Sequence, residues 1–151
     1  MQIFIGADHR GFKLKDKIEA YLAKRNYPVE DVGALTYDEN DDFTLFAASA
    51  AIKVIGSDDD DPRAILICGG GQGMAIASNR FKGIRAVIAT SPEDAKIARH
   101  DNNSNVLSLP ARLMESNDDE LWQSIVETWL DTPFSGKERF VRRNNQLDEL
   151  A

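Results

Sequence analysis

The sequence predicts an α/β fold: a doubly wound three-layer sandwich with a five-stranded parallel sheet and a C-terminal helix. Three observations predict it. Short apolar runs recur along the chain, each is followed by a stretch with helical spacing, and Ala64-Ile65-Leu66-Ile67-Cys68 is apolar at every position. A strand apolar on both faces is buried on both faces, which requires helices on either side of a parallel sheet. Right-handed crossovers then distribute those helices over the two faces.

The elements follow in order. Gln2 to Gly6 reads as the first strand, and Phe12, Ile18 and Leu22 mark one face of a helix running to about Arg25. Pro28 to Gly33 gives the second strand, and Phe43, Phe46, Ala47, Ala50 and Val54 a second helix. The third strand, Ala64 to Cys68, runs into a glycine-rich turn and another helix. Ile84 to Ala89 and Asn105 to Leu109 supply strands four and five, with helices from about Ser91 to His100 and from about Asp118 to Leu130. The charge run Asp58 to Asp61, closed by Pro62, reads as a solvated loop. From Ser135 the tail carries Arg139, Arg142 and Arg143 and has no strand after it. It reads as a terminal helix that must dock on its own domain or on a neighbour's.

Composition bounds what such a domain does. The 151 residues form one domain, 1–151, and 42% hydrophobic content excludes a disordered chain. With 18 Lys and Arg against 25 Asp and Glu, the net charge of -7 argues against nucleic acid and anionic membrane as partners. A single cysteine excludes an intrachain disulfide framework. No apolar run approaches the ~20 residues of a membrane span, and no signal-peptide segment opens the chain, so a cytoplasmic location is expected.

Ligands of an open parallel sheet bind outside the carboxyl ends of the strands. Three features of this sequence fall there: Gly6-Ala7-Asp8-His9-Arg10-Gly11, Cys68-Gly69-Gly70-Gly71-Gln72-Gly73, and Leu109-Pro110-Ala111-Arg112. Four glycines in five residues, Gly69 to Gly73 around Gln72, aim several backbone amides into one concavity, which suits a phosphate or a developing oxyanion. No Lys-Ser/Thr pair follows, so the run is not a P-loop, and a dinucleotide fingerprint belongs on the first strand instead. Amides and a helix start beside Cys68 favour its thiolate, a candidate general base; a tight turn with a buried cysteine is the plainer alternative. One cysteine without histidines at ligand spacing makes a poor zinc site, and no metal or other cofactor is expected. Asp8 and His9 are placed to orient a hydroxylated substrate, with helix capping as the alternative for Asp8. Arg112, Arg139 and Arg143 are candidate phosphate ligands, the last two on one helix face at i, i+4.

Together these motifs resemble the ribose-5-phosphate isomerase B family, which includes the galactose-6-phosphate isomerase subunits. The resemblance rests on Gly6 to Lys15, on the glycine run with Ile76-Ala77-Ser78-Asn79-Arg80 and Gly83-Ile84-Arg85-Ala86, on Asn102-Asn103-Ser104-Asn105-Val106-Leu107, and on the tail arginines. It covers nearly the whole chain. It implies a homodimer or dimer of dimers with active sites between subunits. The implied reaction is cofactor-free aldose–ketose isomerisation of a phosphosugar through a cis-enediolate, with ribose 5-phosphate to ribulose 5-phosphate expected. Another phosphosugar of four or six carbons, or a non-catalytic phosphosugar-binding protein, is the alternative.

By the same resemblance, Cys68 is the proton-transfer base and the amides of Gly69, Gly70, Gly71, Gln72 and Gly73 cradle the enediolate. Asp8, His9, Asn102, Arg112, Arg139 and Arg143 match substrate and phosphate contacts. Four positions depart from the family pattern: Gly70 replaces a hydroxyl residue, Phe43 a tyrosine, Phe140 a histidine, and Asp101 the histidine assigned to opening the sugar ring. Asp101 is expected to take over that last role in preference to His100, because neighbouring helical side chains point ~100° apart.

Overall fold

The computed structural model describes residues 1–150. Five strands, β1 (Ile3–Ala7), β2 (Val29–Asp31), β3 (Arg63–Cys68), β4 (Ala86–Ile88) and β5 (Val106–Pro110), form one parallel sheet in the order β2-β1-β3-β5-β4. Between and after them come α1 (Phe12–Lys24), α2 (Phe43–Ile55), α3 (Gln72–Ser78), α4 (Pro92–Asn102), α5 (Ala111–Glu115), α6 (Asp119–Asp131) and α7 (Glu138–Leu150). The expected α/β sandwich is the observed one. The strand order reverses at β1 and β3, where such sheets open a crevice for ligands.

Alternation along β3 divides the core. Ile65 and Ile67 join Ile3, Ile5, Leu14, Ile18, Leu107, Trp122 and Trp129 on the face covered by α1 and α6. Ala64, Leu66 and Cys68 face the other way, against Ala47, Ala50 and Ala51 of α2 and Met74 of α3. The small residues of α2 let its axis approach the sheet closely on this face.

Three buried cations hold the layers in register. Lys15 donates to Asp31 and to the Ala34 carbonyl, both at 2.5 Å, and so pins α1 to β2. Arg63 donates to the Trp129 and Leu130 carbonyls at 2.8 and 3.0 Å, which fixes the end of α6 beside the start of β3. Arg99 reaches the Ser104 carbonyl and Asn103, closing the turn from α4 into β5.

Several boundaries differ from expectation. The edge strands are shorter than expected, Val29–Asp31 and Ala86–Ile88, although backbone bonds continue past them, from the Ala7 amide to the Gly33 carbonyl and from the Ala89 amide to the Ser108 carbonyl. The one-turn helix α5 was not anticipated; five residues are too few to show a helical period. The run Asp58 to Asp61 is not wholly solvated, since Asp59 meets the N-terminal ammonium at 3.2 Å and Asp61 meets Arg63 at 2.7 Å. No helix of the described residues is long and apolar enough to cross a membrane.

Candidate active site

At the carboxyl end of the sheet, β1 and β3 deliver two loops into contact. The Asp8 amide donates to the Ile67 carbonyl at 3.2 Å, and a Cβ on Gly11 would come within 2.5 Å of that carbonyl oxygen. Only a glycine lets the first loop lie flat over the end of β3. Asp8 is 6% exposed, and its Oδ1 accepts from the Arg10 and Gly11 amides at 2.9 and 3.2 Å. It thus organises the turn into α1 and also lines the site. Burial holds its carboxyl above the usual range, against the lowering pull of those two amides.

Cys68 ends β3 with its side chain buried on the α2 and α3 side. The glycine run turns immediately beyond it. Gly71 takes a φ of 78°, a left-handed conformation that suits glycine, and the Ser108 hydroxyl donates to its carbonyl at 2.7 Å. A Cβ on Gly73 would sit 2.8 Å from the Phe43 ring. The Gln72 amide folds back over Gly70, into the space a side chain at position 70 would need. Arg112, at the start of α5, donates its amide to the Gly69 carbonyl at 3.1 Å and lays its guanidinium beside Gly69. The cysteine, the glycine turn and one fixed cation therefore meet at the carboxyl end of β3.

His9 stands next to it with a partner the sequence did not signal. Its Nδ1 lies 2.7 Å from Oδ1 of Asp41, which also accepts the His9 amide at 3.0 Å. Asp41 belongs to the loop before α2, and its side chain is only 8% exposed. Nothing local singles it out among Asp38, Asp41 and Asp42, and a separation of 32 residues carries no periodic signal. Asp8, His9 and Asp41 bring one polar atom each within 4.8 Å of one another, a hydrogen-bonded grouping rather than a set of free metal ligands.

The other expected site residues lie elsewhere. α4 starts beyond the carboxyl end of β4 and runs back against the strands, so Asp101 and Asn102 emerge at the amino end of β5. Val106 there pairs with Ala64, whereas Cys68 pairs with Pro110. Four strand steps of ~3.3 Å separate the two levels before any loop is counted. α6 returns to that same amino end, and the segment after it crosses α4, with the Ser135 amide donating to the His100 carbonyl at 3.0 Å. α7 then packs there. Phe140 is 6% exposed, edge-on to the His100 ring, and flanked by the Arg139 and Arg143 guanidiniums at 4.6 and 6.0 Å from its centroid.

Of the two docking options for the terminal helix, Phe140 takes its own domain, covered by α4. Val141, Leu147 and Leu150 do remain exposed. Asp101 and His100 do not point apart as expected: His100 Nδ1 lies 2.6 Å from Asp101 Oδ1 in the last turn of α4, which the left-handed Asn103 closes. One pole of the chain holds Asp8, His9, Cys68, Gly69 to Gly73 and Arg112; the opposite pole holds Asp101, Asn102, Arg139 and Arg143.

Such an arrangement defines a class, an α/β protein with a cysteine and a glycine-rich turn at its topological switch point. Comparison narrows the class. Residues 3–147 match the family model described as Ribose/Galactose Isomerase, and the chain belongs to that family. It is 39% identical over 135 residues to ribose-5-phosphate isomerase B of Escherichia coli, spanning 89% of this chain and 87% of that one. Over 135 residues it is 36% identical to a 4-deoxy-4-sulfo-D-erythrose isomerase of a Clostridium species, spanning 89% and 82% of the two chains. The crystal structure of ribose-5-phosphate isomerase B from Mycoplasma genitalium with bound ribulose-5-phosphate superposes with a TM-score of 0.90 at 37% identity, covering 99% of this chain and 95% of the other.

Proposed function

We propose that this chain interconverts ribose 5-phosphate and ribulose 5-phosphate by proton transfer through a cis-enediolate, without a cofactor. The observation that carries the reading is Cys68 at the end of β3, followed directly by the Gly69–Gly73 turn with the Arg112 guanidinium against Gly69. The Cys68 thiolate takes the proton from carbon 2 of the open-chain aldose. The electron pair forms the carbon 1–carbon 2 double bond, and the charge moves to oxygen 1, where the backbone amides of the cradle meet it. After the hydroxyl proton passes from oxygen 2 to oxygen 1, the thiol returns its proton to carbon 1 and the ketose forms. Arg112 and His9 contact the phosphate, and Asp8 orients the hydroxyls.

One chain does not hold a whole site under this reading. Asp101, Asn102, Arg139 and Arg143 stand at the far pole, so a second copy presents them to the Cys68 crevice, in a homodimer or a dimer of dimers. The exposed Val141, Leu147 and Leu150 of α7 supply apolar surface for that contact. Asp101, hydrogen-bonded to His100, then serves as the acid–base group that opens the sugar ring. The enzyme works in the cytoplasm.

A four-carbon substrate is the second reading, favoured by the Clostridium relative, whose named substrate is blocked at carbon 4 and has no ring to open. One measurement separates the readings: NMR in deuterated water with ribose 5-phosphate, an acyclic four-carbon phosphosugar and a six-carbon phosphosugar, following deuterium entry at the carbon next to the carbonyl. Exchange and ketose formation with ribose 5-phosphate fastest is the expected result. Faster turnover of the four-carbon sugar supports the second reading, and exchange with none of them refutes both.

A further inference from the structure

The carboxylate of Asp41 is buried, yet its Oδ2 has no hydrogen-bond partner among the described residues. A buried carboxylate with one idle oxygen is costly unless a cation faces it. The side chain lying against it is His9, held twice over through its amide and its Nδ1. An ionised carboxylate only accepts, so the Nδ1 proton belongs to this bond and Nε2 is the one ring atom left for a ligand. The His9 side chain is 26% exposed and opens into a cavity of about 450 Å³ at the carboxyl end of the sheet.

From this geometry we infer that Asp41 is a positioning residue for substrate recognition: it holds His9 so that binding of the substrate's phosphate loads a second proton on Nε2. The inference rests on the proposed phosphosugar activity. A phosphate oxygen is an acceptor, and a bare Nε2 lone pair repels it. With Nδ1 committed to Asp41, His9 meets the phosphate only as the doubly protonated ring. The negative charge of Asp41 then sits behind the positive ring, and the ring sits against the anion. The proton comes from solvent, one per phosphate bound. Asp8 and Arg10 of the same loop, Lys13 of α1, Tyr37 and Glu39 of the loop before α2, and Glu115 of α5 share the space around His9. Lys13 and Arg10 are fixed cations that add to phosphate attraction but cannot take up this proton.

His9 and His100 are the two histidines of the chain, so ring NMR of nitrogen-15-labelled protein reads each directly. At pH 8, where a free imidazole is neutral, the His9 ring should carry its proton on Nδ1 and gain one on Nε2 as ribose 5-phosphate or inorganic phosphate saturates the site. Asp41→Asn keeps an acceptor for Nδ1 but loses the charge. It should raise KM for ribose 5-phosphate about tenfold with a far smaller fall in kcat. His9→Gln should raise KM as much, and adding Asp41→Asn to it should change nothing further, since Asp41 acts only through the ring. A His9 ring that stays singly protonated with phosphate bound overturns the inference, as do independent, additive effects of the two substitutions. Failure is also distinguishable from failure of the function: proton uptake on inorganic phosphate in a chain that does not isomerise ribose 5-phosphate supports the inference and refutes only the activity.

Discussion

At the scale of single residues, position and burial set what each group can do. Cys68 shows this by position, standing at the last strand residue with the glycine turn directly beyond it. Cys68→Ser preserves shape but replaces the thiol with a far weaker acid. The rate should fall ~10²-fold or more while KM changes little, and steady-state kinetics giving wild-type turnover would remove Cys68 from the mechanism. Asp8 shows it by charge. Its folded-state carboxyl is held above the usual 3.8 by burial, so it stabilises the fold only below that pH and loses the contribution as pH rises through the folded value. At pH 7 the ionised form is therefore a cost. Asp8→Asn, whose Oδ1 still accepts from Arg10 and Gly11, should melt higher at pH 7 by up to about 2–4 °C, for a gain below ~1 kcal/mol. The gain should disappear near pH 3, and the variant should lose activity. A melting difference independent of pH would show that the burial of charge is not the cause.

At the scale of elements, glycine positions act through space as much as through dihedral freedom. Gly11 has an ordinary φ of -97°, and what forbids a side chain there is the Ile67 carbonyl 2.5 Å from the Cβ position. Gly11→Ala must push the first loop off β3, at about 1–3 kcal/mol, visible in denaturant melts together with loss of substrate affinity. Helix α7 poses a different question. Arg139 and Arg143 flank the buried Phe140 and make no ion pair among the described residues. Two uncommitted guanidiniums fit a phosphate. Arg139→Ala should accordingly raise KM for ribose 5-phosphate much more than for ribose, and an equal loss for both sugars would mark the arginine as structural.

For the whole molecule, the separation of the site residues into two poles makes a test of assembly. Cys68→Ser and Arg139→Ala each disable a different half of a shared site. Mixed one to one and allowed to exchange, random pairing gives about one quarter intact sites, so activity should return to about that fraction of wild type. Sedimentation should show at least a dimer at micromolar concentration. A monomer, or a mixture no more active than its components, would mean that the two poles do not work together.

What the sequence determined by itself is whatever short-range pattern encodes: five strands and the helices between them, the parallel sheet that follows from their alternation, and the Cys68 to Gly73 turn. Period-two and period-3.6 burial repeat within a few residues, and so can be read without knowing what lies opposite. Candidate site residues can also be proposed from sequence, because residue type restricts chemistry. What only the tertiary structure decided is which of those residues meet. His9 finds Asp41 across 32 positions of loop, Phe140 finds cover on α4, and Asp101 turns toward His100. It also sends Asp101, Asn102, Arg139 and Arg143 to the amino end of the sheet, away from Cys68. The physical reason is that loops and helix ends have no period: their side-chain directions are set by the one arrangement in which buried polar atoms find partners, and those partners are distant in the chain.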